Sequence, residues 1–164
     1  MEVRLSGRRY GYLRGPALSK IFHILSADAA RVARENGEYR AGSLSEDGFI
    51  HFSCLHQVLE VAESYYAGQH GLALLEVDVS RLKAPLKYEA PSHPVGHASV
   101  ESPKNEDLLH GERLTSDNSI ESPAPDQFPH LYGPLNFDAV VAVHTFEPDA
   151  SGRFSLPAGL STRD

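Results

Sequence analysis

Gly48-Phe49-Ile50-His51-Phe52-Ser53 is the stretch whose reading decides how the rest of the chain is arranged. Phe49, Ile50 and Phe52 are β-formers behind a turn glycine, which predicts a short strand. Ser53 suits a helix N-cap, its hydroxyl accepting from a free N–H of the first turn. Leu55, Val58, Leu59, Ala62, Tyr65 and Tyr66 follow on one face at spacings of three and four, and Gly68 suits the left-handed residue that stops such a helix. Alternation places His51 on the face of Phe49, with Ile50 and Phe52 on the other. His51 then stands at a strand exit beside a helix N-terminus, where chemistry is often found. On this stretch alone the plainer reading, a core histidine with one satisfied hydrogen bond, is the favoured one.

Working outward, Ile21-Phe22-His23-Ile24-Leu25 is an apolar run with one histidine and predicts a buried strand. Ser26 caps a helix over Ala27–Glu35, with Asp28 favourable in its first turn and Gly37 ending it. Tyr39, Gly42, Leu44 and the polar residues through Asp47 lead into the central strand. Downstream, Leu72–Val77 has the length of a buried strand, Leu86–Glu89 gives a shorter one, and Ala139–Thr145 is apolar until His144. Phe154-Ser155-Leu156 predicts an edge strand stopped by Pro157.

Two stretches stand apart. Residues 1–19 hold Arg4, Arg8, Arg9 and Arg14 among scattered glycines and no periodic apolar pattern, which predicts a flexible basic arm. Residues 90–127 carry five of the 11 prolines, seven acids and His93, His97 and His110, and read as an acidic Pro-rich loop inserted into a single domain spanning 20–164. A net charge of −7 argues against nucleic acid as the partner. No apolar run approaches a membrane span, and no signal-peptide core precedes the first strand. One cysteine excludes an internal disulfide framework, so a reducing cytoplasm is the expected compartment.

Phe128-Pro129-His130-Leu131-Tyr132-Gly133-Pro134 closes the inserted loop. Two prolines and a glycine stiffen the backbone around His130 and Tyr132, which suits a preorganised binding wall or a plain rigid corner. His23, His51 and His130 thus sit in three separate motifs. Together they suit acid–base work on a phosphate or ribose, structural hydrogen bonding, or metal binding. No HxxxH helix face or close carboxylate motif favours the metal, and Pro94 and Gly96 break the spacing of His93 and His97. Cys54, at the first helical position and near His51 and His56, reads as a thiolate nucleophile or as a small packed hydrophobe.

These motifs in this order resemble the domain-of-unknown-function 952 family over roughly residues 20–157, with 90–127 an insertion. That family implies no reaction. At the level of fold, a strand bearing a histidine, a short helix and a Gly-Phe…Ser strand entering a helix resemble the ADP-ribosyltransferases of diphtheria-toxin type. That resemblance implies a cleft between two small antiparallel sheets holding NAD. His23 would bond a ribose, Phe52 and Ser53 would frame the nicotinamide, and a late-strand acid would steady the transition state. The acid is missing from 128–134, where His130 stands; Glu76 and Glu89 are unplaced substitutes.

The expectation is therefore an α+β domain of two small, mainly antiparallel sheets and two helices, ADP-ribosyltransferase-like. Its cleft is lined by His23, His51, Phe52, Ser53, His130 and Tyr132. His51 and His130 are the acid–base candidates, and the others hold a small-molecule ligand, NAD first. A non-catalytic ligand-binding or interaction domain is the alternative.

Overall fold

The computed structural model describes residues 20–91 and 127–161. The basic arm at 1–19 and nearly all of the 90–127 insertion lie outside the described residues. The elements run β1 (Lys20–Ser26), α1 (Ala27–Asn36), β2 (Glu38–Tyr39), α2 (Gly42–Glu46), β3 (Ile50–His51), α3 (Val58–Tyr65), β4 (Leu72–Asp78), β5 (Leu86–Glu89), β6 (Phe128–Leu131), β7 (Leu135–Asn136) and β8 (Val140–Thr145). Short 3-10 turns precede α3 and follow β4 and β7. The architecture is α+β, with antiparallel sheets and few helices. No helix among the described residues is long and apolar enough to cross a membrane.

The first sheet has the order β1-β4-β8. Its central strand β4 opens on the continuous apolar run Leu72–Leu75 rather than alternating, because both of its faces are covered there. On one face Ile21, Leu25, Leu75 and Val77 pack with Ile50, Phe52, Leu131 and Leu135. On the other, Phe22, Ile24, Leu72 and Leu74 pack with Val58, Ala62, Phe146 and Phe154. Each fully buried Leu or Ile contributes about 1.5–3 kcal/mol, so these clusters hold the sheet between its layers. α1 forms as its sequence predicts. Ser26 Oγ accepts from Ala29 N–H at 3.1 Å, and Gly37 closes the helix at φ 72°.

The second sheet has the order β3-β6-β5, and here the structure departs from the sequence reading. The Phe-Pro-His-Leu segment is not a corner but the central strand β6. It pairs Ile50 with Leu131 and His51 with His130 on one side, and Lys87 with His130 on the other. A proline is tolerated there because of where the ladder ends. Phe52 N–H donates to the Pro129 carbonyl at 2.9 Å, and Pro129 has no N–H to return. Pairing stops at that point, and the next residue, Ser53, crosses to β1 and exchanges two 2.8 Å backbone bonds with Phe22. One short segment thereby joins both sheets.

Other expectations need correction. Cys54, not Ser53, is the N-cap, and it opens a 3-10 turn over Leu55–Gln57; its N–H donates to Gln57 Oε1 at 2.8 Å. Ser53 is committed to the bridge. α3 ends at Tyr65, and Gly68, at φ 74°, turns the chain two residues past the Tyr66 cap. The connection before β3 contains α2, a third helix, and β2 and β7 form a separate two-stranded pair. Phe154–Leu156 is not a strand; Phe154 stacks on Phe146 at 5.0 Å and fills the second core cluster instead.

Candidate functional site

A cavity of about 550 Å³ opens where the two sheets meet. It runs along the outer edge of β1, the strand that Ser53 bridges. His23, His51, Phe52, Ser53 and His130 all line it, with Tyr39, Asp47 and Tyr66. Alternation explains the placement of two of the histidines. Ile50 and Leu131 point into the core, so their neighbours His51 and His130 share the opposite face and meet edge-on at 5.3 Å.

His23 enters from the first sheet, on the face of Ile21 and Leu25. Burial lowers its pKa to about 4, only partly opposed by its bond to the His51 carbonyl, so the ring is neutral. The 2.7 Å contact with that carbonyl requires a proton on Nδ1, which leaves Nε2 to accept from the Tyr39 hydroxyl at 3.2 Å. Burial pushes Tyr39 up to about 12, so its donor is present at all working pH. Both ring nitrogens of His23 are thus occupied within the protein. The residue positions β3 and Tyr39 rather than presenting a bare nitrogen to a ligand.

His130 is arranged the other way. Its Nδ1 donates to Glu89 Oε2 at 2.9 Å, and the Tyr132 hydroxyl donates to the same oxygen at 2.6 Å. These bonds, Tyr132's first and then His130's, hold the Glu89 carboxyl below its ordinary range, so it is ionised and can only accept. A proton is therefore fixed on Nδ1, and in the neutral ring Nε2 carries the lone pair. The side chain is 2% exposed and stacks on Phe49 at 4.1 Å. Nε2 is buried without a hydrogen-bond partner among the described residues. His51 Nε2 reaches Asp47 Oδ2 at 3.1 Å, placing a second carboxylate–imidazole pair on the cavity wall.

Five of the six residues singled out from the sequence therefore meet around one cavity, and Tyr132 does not line it. Its hydroxyl goes to Glu89 and its ring lies under Lys87 Nζ at 4.5 Å. Glu89, Tyr39 and Asp47 were missed as members. Glu89 was visible as a strand glutamate without a place; Asp47 stands four residues before His51, which was the one local signal. Cys54 does not line the cavity, and burial raises its thiol pKa, opposite to what a helix dipole alone predicts. No group of three or more His, Cys, Asp or Glu positioned to hold a metal ion occurs among the described residues. His93, His97 and His110 lie outside them.

The chain is similar to solved structures of protein CC0527 from Caulobacter crescentus. The crystal structure shares 27% identity with a TM-score of 0.60, covering 84% of this chain and 95% of that one. The solution NMR structure of the same protein shares 28% identity with a TM-score of 0.55, covering 82% and 90%. No curated protein matches the chain. The family model described as "Protein of unknown function (DUF952)" matches residues 24–143, which hold the end of β1 and all of β3 and β6, with His51 and His130; His23 stands one residue before the match. The chain belongs to the DUF952 family.

Proposed function

We propose that the cavity recognises a nucleotide-like small molecule, NAD first, and that His130 exchanges a proton with it. The observation that carries this reading is the buried Nε2 of His130, unpartnered among the described residues, on a ring whose Nδ1 proton is held by Glu89. A buried polar atom left unpaired costs about 1–3 kcal/mol, a cost that a ligand donor in the cavity offsets. An imidazole held in one tautomer by a carboxylate is the arrangement of a general base. The cavity volume falls within the range of about 300–1,000 Å³ usual for small-molecule sites.

The ADP-ribosyltransferase-like reading draws support from two small antiparallel sheets meeting at a cleft, with His23 on the first strand and Phe52-Ser53 where β3 leaves its sheet. Breaking a nicotinamide–ribose bond needs a carboxylate facing the charge that develops on the ribose. Glu89 stands behind His130 rather than on the cavity wall, and Asp47 is engaged with His51. The reading is therefore binding with little cleavage. That same placement of Glu89 favours the second reading, a non-catalytic ligand-binding domain.

Calorimetry with NAD, run beside an assay of released nicotinamide, tests both. Saturable binding, lost in His130→Gln and in His23→Ala, is the expected result, with no rapid release. Rapid release that survives both substitutions removes His130 and His23 from the site. Absence of NAD binding removes the nucleotide.

A further inference from the structure

The charge of the cavity wall restricts what enters it. Among the described lining residues there is no lysine or arginine, and Asp47 is the one acid. The lining serines and tyrosines carry hydroxyls that donate or accept without net charge, so the wall's formal charge comes from Asp47. In the neutral ring His130 Nε2 has an unshared lone pair, and the Asp47 carboxylate keeps Oδ1 beside the Oδ2 that meets His51. His23 adds no positive charge, because burial keeps it neutral and Tyr39 closes its Nε2. Tyr39, Phe52 and Tyr66 supply aromatic surface along the rest of the wall, and aromatic faces attract cations and planar rings.

We infer that the cavity selects a planar ligand end that is neutral or cationic and carries an N–H donor, of amide, amidine or protonated N-heterocycle type, with the N–H directed at His130 Nε2. Anionic ends are disfavoured, since a carboxylate or phosphate would meet a lone pair and a carboxylate with no lysine or arginine among the described lining residues to offset desolvation. The inference rests on the reading that this cavity is a ligand site, and it names the part of a ligand that the wall recognises. A phosphate-bearing ligand then owes its affinity to its base end.

Three probes of one shape and different charge test this: benzamidine, benzamide and benzoate, titrated by calorimetry up to about 10 mM, where fragments of this size still register. The long-range ¹H–¹⁵N NMR spectrum of the His130 ring is followed in parallel. Benzamidine and benzamide are expected to bind and to move the Nε2 resonance, and benzoate to do neither. His130→Gln should abolish both interactions. Asp47→Asn, a milder change at a half-exposed residue, should weaken benzamidine about tenfold and leave benzamide within about twofold. Benzoate binding as tightly as benzamidine overturns the inference. So does benzamidine binding unchanged in His130→Gln, or a folded protein that binds none of the three. NAD binding without benzamidine binding overturns this inference and leaves the nucleotide reading; the converse removes NAD and leaves the charge rule.

Discussion

Glutamate meets histidine across strands twice among the described residues, once in each three-stranded sheet, and the surroundings separate the two meetings. In the first sheet Glu76 takes Lys20 Nζ at 2.7 Å and His144 Nε2 at 3.0 Å. Burial alone would raise its pKa, but the Lys20 and His144 bonds outweigh it and hold the carboxyl low. The His144 side chain is 22% exposed. This is a charge-compensated surface cluster, in which every member has a neighbour of opposite sign or water. In the second sheet Glu89 has no lysine or arginine bonded to it among the described residues. It is held by a phenol and an imidazole, and that imidazole is 2% exposed with one nitrogen unmatched. Compensation marks a structural pair; a buried, oriented and unmatched nitrogen marks a group kept for something else.

The largest test of that contrast is truncation. His130→Ala removes a buried ring stacked on Phe49 and one of the two bonds to Glu89, for an expected loss of about 3 kcal/mol in denaturant unfolding. His144→Ala should cost less than about 1 kcal/mol. Equal losses would erase the distinction. Acid unfolding sharpens it next. His23 is neutral when folded, with a pKa of about 4, and titrates at 6.5 in its ordinary state. Between these values the unfolded chain binds the extra proton, so stability rises with pH across this window. Lowering the pH from 6.5 to 4 should therefore remove about 3 kcal/mol. His23→Asn should flatten that slope, and an unchanged slope would mean that the ring is not held neutral.

A smaller effect is expected on tautomers. The His130 ring should show one tautomer by nitrogen NMR, with the proton on Nδ1. Glu89→Gln should mix the two, because an amide can donate or accept, and Glu76→Gln should leave His130 unchanged. A mixed spectrum in the parent protein would break the argument for a fixed lone pair. The smallest change is Tyr132→Phe. It removes the larger of the two bonds that depress Glu89, so the Glu89 carboxyl should titrate closer to its ordinary range. No movement would make the Tyr132 contact incidental.

Local chemistry was legible in the sequence wherever it was self-contained. Ser26 and Gly37 delimit α1 because cap and stop act within a turn of their own helix. Ile50 and Phe52 fall on the core side of His51 because a strand alternates. What could not be read depends on register between distant segments. His51 opposes His130 and Lys87 opposes His130 only once β3, β5 and β6 align, and no local pattern encodes that alignment. Pro129 in particular argues against a central strand until its position at the end of the β3 ladder is known. Phe154–Leu156 has β-forming residues but no strand to pair with, so packing decided its conformation. Ser53 and Cys54 are adjacent residues of similar size, and the bridge to Phe22 settled which of them became the cap.

The pairing of Glu89 with Phe128 has a consequence for how this architecture tolerates change. β5 and β6 form an antiparallel pair whose ends are joined by residues 90–127 instead of a tight turn. For a flexible connection, closure entropy grows with the logarithm of length, so doubling it costs only about 0.6 kcal/mol. Insertions or deletions there leave the strand register untouched, and with it the contact between Glu89 and His130. Related chains are thus free to differ widely in this connection while keeping one and the same histidine wall, and grafting a foreign segment between Pro91 and Gln127 is the natural place to engineer the molecule.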